Sequence, residues 1–301
     1  MTAQSLWGRV KQDGNWMVAP VDALPQRVFE CACTLAFLAM VGFNFWEWRD
    51  WLTDHGYHLT VEEARLLGYP PPFPTMPAWM VPIFGLSLLM ASGAVMVNRG
   101  RRLGLWVLFF AAVYVQGVDY LSTSAQNKMC IALYALLATG PGLKWSQERR
   151  RLEVSRALPG VIMAMLVIIY WAAGWTKAFN GGAWLEHADS LKLAVAGFHR
   201  TELAAWAVRS WPDGIWTAGQ YGTLVLEIGA PIWFLWRRTR CWALLAGVGL
   251  HVGIALMMRN VGLFSLQMVA YYPLFVSAAS WRAAVRRVVE WLRLEGRESP
   301  A

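Results

Sequence analysis

Residues 160–184 read GVIMAMLVIIYWAAGWTKAFNGGAW. Between 160 and 179 the only charge is Lys177, and the rest is apolar or small over the ~20 residues that an α-helix needs to cross a bilayer. An ammonium group costs several kcal/mol or more to hold in hydrocarbon, so a chain that keeps one there uses it, pairs it or lifts it to the surface. The stretch therefore poses both the fold question and the functional one.

The rest of the chain repeats the pattern. Of 301 residues 57% are hydrophobic and 15% charged, and 19 are tryptophan, which is too apolar for an ordinary soluble domain. Apolar runs fall at 28–46, 78–97, 103–122, 128–145, 160–179, 215–236, 242–260 and 261–281. The expected fold is all-α, a polytopic membrane helix bundle of about eight transmembrane helices. The fourth run is short and ends in Gly140-Pro141-Gly142, so a full span and a broken or re-entrant helix are both open there.

Lys and Arg sort by alternate loops, 19 on the side that holds both termini and seven on the other, which places both termini in the cytoplasm. The net charge of +8 then faces an anionic inner leaflet and requires no nucleic acid. The first run is trailed by FWEWRDW, residues 45–51, instead of a small-residue cleavage site, and reads as a retained helix. The expected division is a cytoplasmic segment 1–27, a transmembrane domain 28–281 and a basic amphipathic tail 282–301. In the tail Trp281, Val285, Val288, Val289 and Leu292 form a stripe among arginines, which suits an inner-leaflet anchor. The expected location is the inner (plasma) membrane of a bacterium, with the lipid bilayer as the first partner.

Two outer loops are long. In 47–77, Thr60-Val61-Glu62-Glu63 reads as a capping box opening a short helix to Leu67, followed by the non-helical PPPFPTMP. In 180–214, Trp184, Ala188, Leu191, Val195 and Phe198 recur three and four apart, which predicts one amphipathic helix between spans five and six. His55, His58, His187 and His199 share this outer side without diagnostic ligand spacing, so no metal site is expected. Cys31 and Cys33 are placed near the inner end of span one, and Cys130 alone near the outer side.

Ionisable residues within spans are functional candidates. Asp119 and Lys177 share a depth near the outer side, which makes them a candidate pair. Glu227 and His251, each near the middle of its span, make a second. Glu30 falls close to the inner headgroups, where it is expected to be solvated. Lys177 either snorkels, or pairs with Asp119, or sits desolvated under Tyr170, Trp171, Trp175 and Trp184 as an amine base. Glu227 and His251 either join two helices or hold a ligand's polar head.

YWAAGWTKAFNGGAW (170–184), Glu227-Ile228-Gly229-Ala230-Pro231, and the run from His251 through GLFSLQMVAYYPLF together resemble the HTTM family, the membrane domain of vitamin K-dependent gamma-carboxylase and of many short bacterial proteins. The likeness covers roughly 105 to 281. It implies Lys177 and His251 as catalytic residues, with Asp119, Glu227, Tyr170, Trp175 and Trp184 around the ligand. The implied cofactor is a menaquinone or vitamin K-type hydroquinone. Where the carboxylase carries a histidine, QNKMC (126–130) has Asn127 and Lys128, and these 301 residues hold no counterpart of its large lumenal region. Two functions follow as expectations. One is a quinone- or lipid-linked enzyme, carboxylase-like or a quinone-dependent lyase or oxidoreductase, with a lysine base near the outer face. The other is a non-catalytic partner for the maturation, export or immunity of a secreted peptide, docking a peptide or membrane protein on the outer face.

Overall fold

The computed structural model describes residues 17–43, 47–118, 120, 125–180, 184–259 and 261–295. In chain order the elements are β1 (Pro20–Asp22), α1 (Leu24–Phe43), α2 (Trp48–Leu52), α3 (Val61–Leu66), α4 (Met80–Met96), α5 (Arg101–Val118) and α6 (Ala125–Thr139). There follow β2 (Lys144–Ser146), β3 (Arg151–Ser155), α7 (Ala157–Phe179), α8 (Ser190–Ala196), α9 (Glu202–Ser210) and α10 (Asp213–Ile228). The chain closes with α11 (Ala230–Trp233), α12 (Arg240–Met257), α13 (Gly262–Ala270), a 3₁₀ turn (Tyr272–Phe275) and α14 (Ala278–Glu295).

A helix covers each of the eight apolar runs, but not at uniform length. Leu24–Gly42, Arg101–Val118, Ala157–Phe179 and Arg240–Met257 are long and apolar enough to cross a membrane, and the bent pair Gly262–Phe275 and Ala278–Glu290 makes a fifth if counted as one. The shorter ones have local causes. The expected sixth span breaks at Gly229, just before Pro231. The eighth ends at Ala270 because Pro273 lacks the N–H that a continuing helix needs. The chain then turns by 108° into α14, so the tail helix begins at Ala278 and not at 282.

α1 packs against α4 and α13; α4, α5 and α6 pack in series, and α7 lies along α10. Leu88, Leu105, Leu133, Ile162 and Phe234 belong to one continuous core. Outward faces carry large apolar side chains, such as Trp242, Leu245, Val252 and Leu256 on α12, a surface that suits hydrocarbon better than water. A second small core of Val195, Ala204, Ala207 and Trp216 holds α8 and α9 against α10 and α12.

The chain is not purely helical. KWSQERRRLEVS (144–155), which spans the end of the fourth apolar run and the basic stretch after it, folds into the hairpin β2–β3, and β1 adds to it in the order β1-β3-β2, all antiparallel. Val21 pairs with Val154 and Trp145 with Leu152. Arg150, at φ 47°, makes the tight turn. Alternation with period two was present, with Val154 facing the core, but the arginines around it masked it. Asp22 joins the sheet to α14 by an ion pair with Arg282.

Glu30 is not solvated. It is 1% exposed and bound by Gln26, Arg27 and Arg101, with Arg101 contributing contacts of 2.9 and 2.5 Å. Arg27 also donates to the carbonyls of Val95 and Met96, closing the end of α4. The Thr60 capping box forms as expected, with Glu63 N donating to Thr60 Oγ1 and Thr60 N to Glu63 Oε2. Phe73 and Met76, in the extended segment after α3, donate backbone N–H groups to Gly117 and Leu52, which staples the loop to the bundle.

Candidate functional site

Tyr170, Gly174 and Lys177 stand at i, i+4 and i+7 on α7, one face of the helix. Gly174 decides what that face meets. A Cβ there would lie 2.7 Å from Glu227 Cβ and 2.8 Å from the Ile228 nitrogen, so only glycine lets α10 approach this closely. The approach brings Lys177 Nζ to 2.5 and 2.6 Å from the two carboxylate oxygens of Glu227. Glu227 is buried, whereas 30% of the Lys177 side chain is exposed.

Trp184 completes this tier, with Lys177 Nζ 5.4 Å from its ring centroid, in cation–π range. The backbone N–H of Trp184 donates to the Lys177 carbonyl. The position of Trp184 is fixed by Gln220, a residue that carries no signal in the sequence. Gln220 is fully buried, donates to the carbonyls of Trp184 (2.6 Å) and His187 (2.8 Å), and accepts from Leu191 N (2.9 Å). One glutamine on α10 thus holds the whole 184–191 segment beside the lysine.

Two turns back along α7, about 10 Å along its axis, lies a second tier. The Tyr170 hydroxyl is 2.6 Å from His251 Nε2 and 2.6 Å from the Tyr272 hydroxyl. Phe234 stacks on Tyr170 with centroids 5.3 Å apart, and Phe264 lies against His251. Gly247, one turn before His251 on α12, leaves the space that the Tyr272 ring end occupies; a Cβ there would lie 2.9 Å from Tyr272 Cζ, with the hydroxyl closer still. His251 Nδ1 is buried and has no hydrogen-bond partner among the described residues. Tyr272 is the other member that sequence reading missed, hidden in an apolar run.

The pairings therefore differ from those expected. Lys177 binds Glu227; Asp119, its expected partner, lies outside the described residues. Glu227 does not meet His251, because α10 stops at Ile228 and leaves Glu227 in its last turn, level with Lys177 instead of midway down a longer helix. Trp175 is not in the site. It is one residue past Gly174, ~100° around the helix, and sits half exposed between Trp171 and Phe179 on the outward face. Trp171 shares that face, so of the four aromatics only Trp184 covers the lysine and Tyr170 belongs to the second tier.

The outer-loop helix is also revised. Gly197 ends α8, and Phe198, expected on its buried stripe, is 94% exposed; a second helix, α9, starts at Glu202. His55 contacts Arg49 and His58 contacts the Thr53 carbonyl. Among the described residues no three His, Cys, Asp or Glu side chains converge as metal ligands.

Chemically, the upper tier offers a cation and a carboxylate in direct contact and partly open, and the lower tier offers neutral hydrogen-bonding groups in an aromatic enclosure. Compared with protein families, curated proteins and solved structures, the chain gives no match in any of the three.

Proposed function

We propose that the chain is an eight-helix integral protein of a bacterial inner membrane with both termini cytoplasmic, and that the face of α7 bearing Tyr170, Gly174 and Lys177 binds the polar head of a quinone-type or lipid ligand. The observation that carries this reading is the Lys177–Glu227 pair, partly open and capped by Trp184. A buried ion pair contributes little net stability, because desolvation of two charges offsets their attraction. Its retention in an apolar bundle favours use.

A step can be written with every proton placed. Across a 2.5 Å contact, one proton passes from the Lys177 ammonium to the Glu227 carboxylate, which converts an ion pair into a neutral amine and a carboxylic acid. Low-polarity surroundings disfavour separated charge and so help this form. The amine lone pair then takes a proton from a ligand hydroxyl and leaves an oxyanion beside the ammonium. A hydroquinone of the menaquinone class suits such a base and matches the resemblance to the HTTM family; His251 and Tyr170 would orient the ligand.

The alternative, a non-catalytic partner for a secreted peptide or a membrane protein, rests on the outer helices, where Leu193, Phe198 and Trp206 are exposed. Mass spectrometry of small molecules retained by the detergent-purified protein separates the two. A quinone retained by the wild type and depleted in Lys177→Met supports the ligand site. No quinone in either, with loss of function on scrambling 184–199, favours the partner.

A further inference from the structure

A groove of about 330 Å³ opens between α10 and α12, and neither Lys177 nor Tyr170 nor His251 lines it. Small residues make it. A Cβ on Gly222 of α10 would meet no atom within 4 Å, and Ala243 and Ala246 leave the facing wall of α12 shallow. Its rims are apolar and open outward, with Val225 61% and Trp242 73% exposed. Thr239, the N-cap of α12, marks one end, and from there to Ala246 the groove follows about 10 Å of helix. That end carries Arg237, Arg238 and Arg240 in WRRTRCW (236–242). Arg240 donates to the carbonyls of Phe234 and Leu235, both at 3.0 Å, and so holds the turn. Arg237 stands close enough to Arg240 to repel it. Among the described residues no carboxylate pairs with any of the three. The groove beside Cys31 and Leu35 differs, because its arginine, Arg27, is already bound to Glu30 and to the carbonyls of Val95 and Met96.

We propose that this groove binds an anionic phospholipid, with its phosphate against Arg237 and Arg238 and one acyl chain laid along the trough toward Ala246. The two ends of the site dictate the two halves of the ligand. Positive charge without a carboxylate attracts an anionic headgroup, and the apolar trough that leads away from it takes hydrocarbon joined to that anion. Free phosphate satisfies only the first. Trp236 and Trp242, both exposed, bracket the arginines, and tryptophan settles at the headgroup level of a bilayer. A second copy of the chain fits poorly. A two-fold axis along the membrane normal brings the same patch of each copy together and would set arginines against arginines.

Native mass spectrometry of the full-length protein, stripped of lipid in detergent and titrated with phosphatidylglycerol or phosphatidylcholine of identical chains, tests the site. Phosphatidylglycerol should bind more tightly than phosphatidylcholine, and its affinity should fall roughly fivefold for each of Arg237→Gln and Arg238→Gln. Ala246→Trp fills the trough and should remove the bound lipid while the arginines stay in place. All three positions are exposed, so these variants leave the core intact. Equal affinity for the two lipids, or a preference that survives both arginine changes, overturns the proposal. So does a preference that survives Ala246→Trp, since the anion would then be held without the groove. A dimer that Ala246→Trp dissociates would assign this face to a second copy and overturns it as well.

Discussion

Lys177 and Glu227 behave as a unit, and their variants should show it. Lys177→Met leaves a buried carboxylate without its cation, a change that costs about 3–5 kcal/mol when a buried pair is broken from one side. Adding Glu227→Gln removes the orphaned charge, so the double variant should recover most of the lost stability in a denaturation cycle. Additive losses would mean that the two side chains are not coupled. Gly174→Val places methyl groups where the backbone of Ile228 stands and should cost about 1–3 kcal/mol and separate α7 from α10; unchanged thermal stability would contradict the packing. At this scale the sequence was informative about which residue to ask about and poor on whom it meets. Lys177 stood out because a charge in an apolar run is rare, while Glu227 was assigned to His251 because its height was counted along a helix that in fact stops one residue later. Tyr272 and Gln220 carried no signal of their own, since a tyrosine among aliphatics and a glutamine on a helix are ordinary until their partners are known.

Single elements read well where the signal was local. The Thr60 capping box needed only residues three apart. Glu63 has its carboxyl held below the usual carboxylate range, first by the backbone N–H of Thr60, then by the Thr60 and Tyr57 hydroxyls. A carboxyl lowered on folding contributes in full above its unfolded pKa of about 4.3, and that contribution is lost as pH falls through the lower folded value. The protection of α3 amides, taken relative to the intrinsic exchange rate at each pH, should therefore fall below pH ~4 in the wild type and stay level in Glu63→Gln. The β2–β3 hairpin was missed for the opposite reason. Its stability comes from β1, more than a hundred residues earlier in the chain, and no local pattern records that pairing.

For the whole molecule, apolar helices were legible from composition, but their lengths were not, because breaks at Gly229 and Pro273 shorten runs that hydropathy alone would join. Topology is testable apart from any ligand. Reporters fused at each terminus should both be active in the cytoplasm, and a cysteine placed at Phe198, exposed in the turn after α8, should react with an impermeant thiol reagent from outside. Labelling from the cytoplasmic side instead would invert the arrangement.

The ties between Asp22, the hairpin and Arg282 also impose an order in time. During synthesis at about 5–20 residues per second, Val21 leaves the ribosome on the order of ten seconds before Val154 exists to pair with it. Asp22 waits longer still for Arg282, the last of its partners to be made. The first strand must therefore remain unpaired while four of the helices that cover apolar runs, α1, α4, α5 and α6, are produced, and the sheet is fastened to α14 only as that helix emerges.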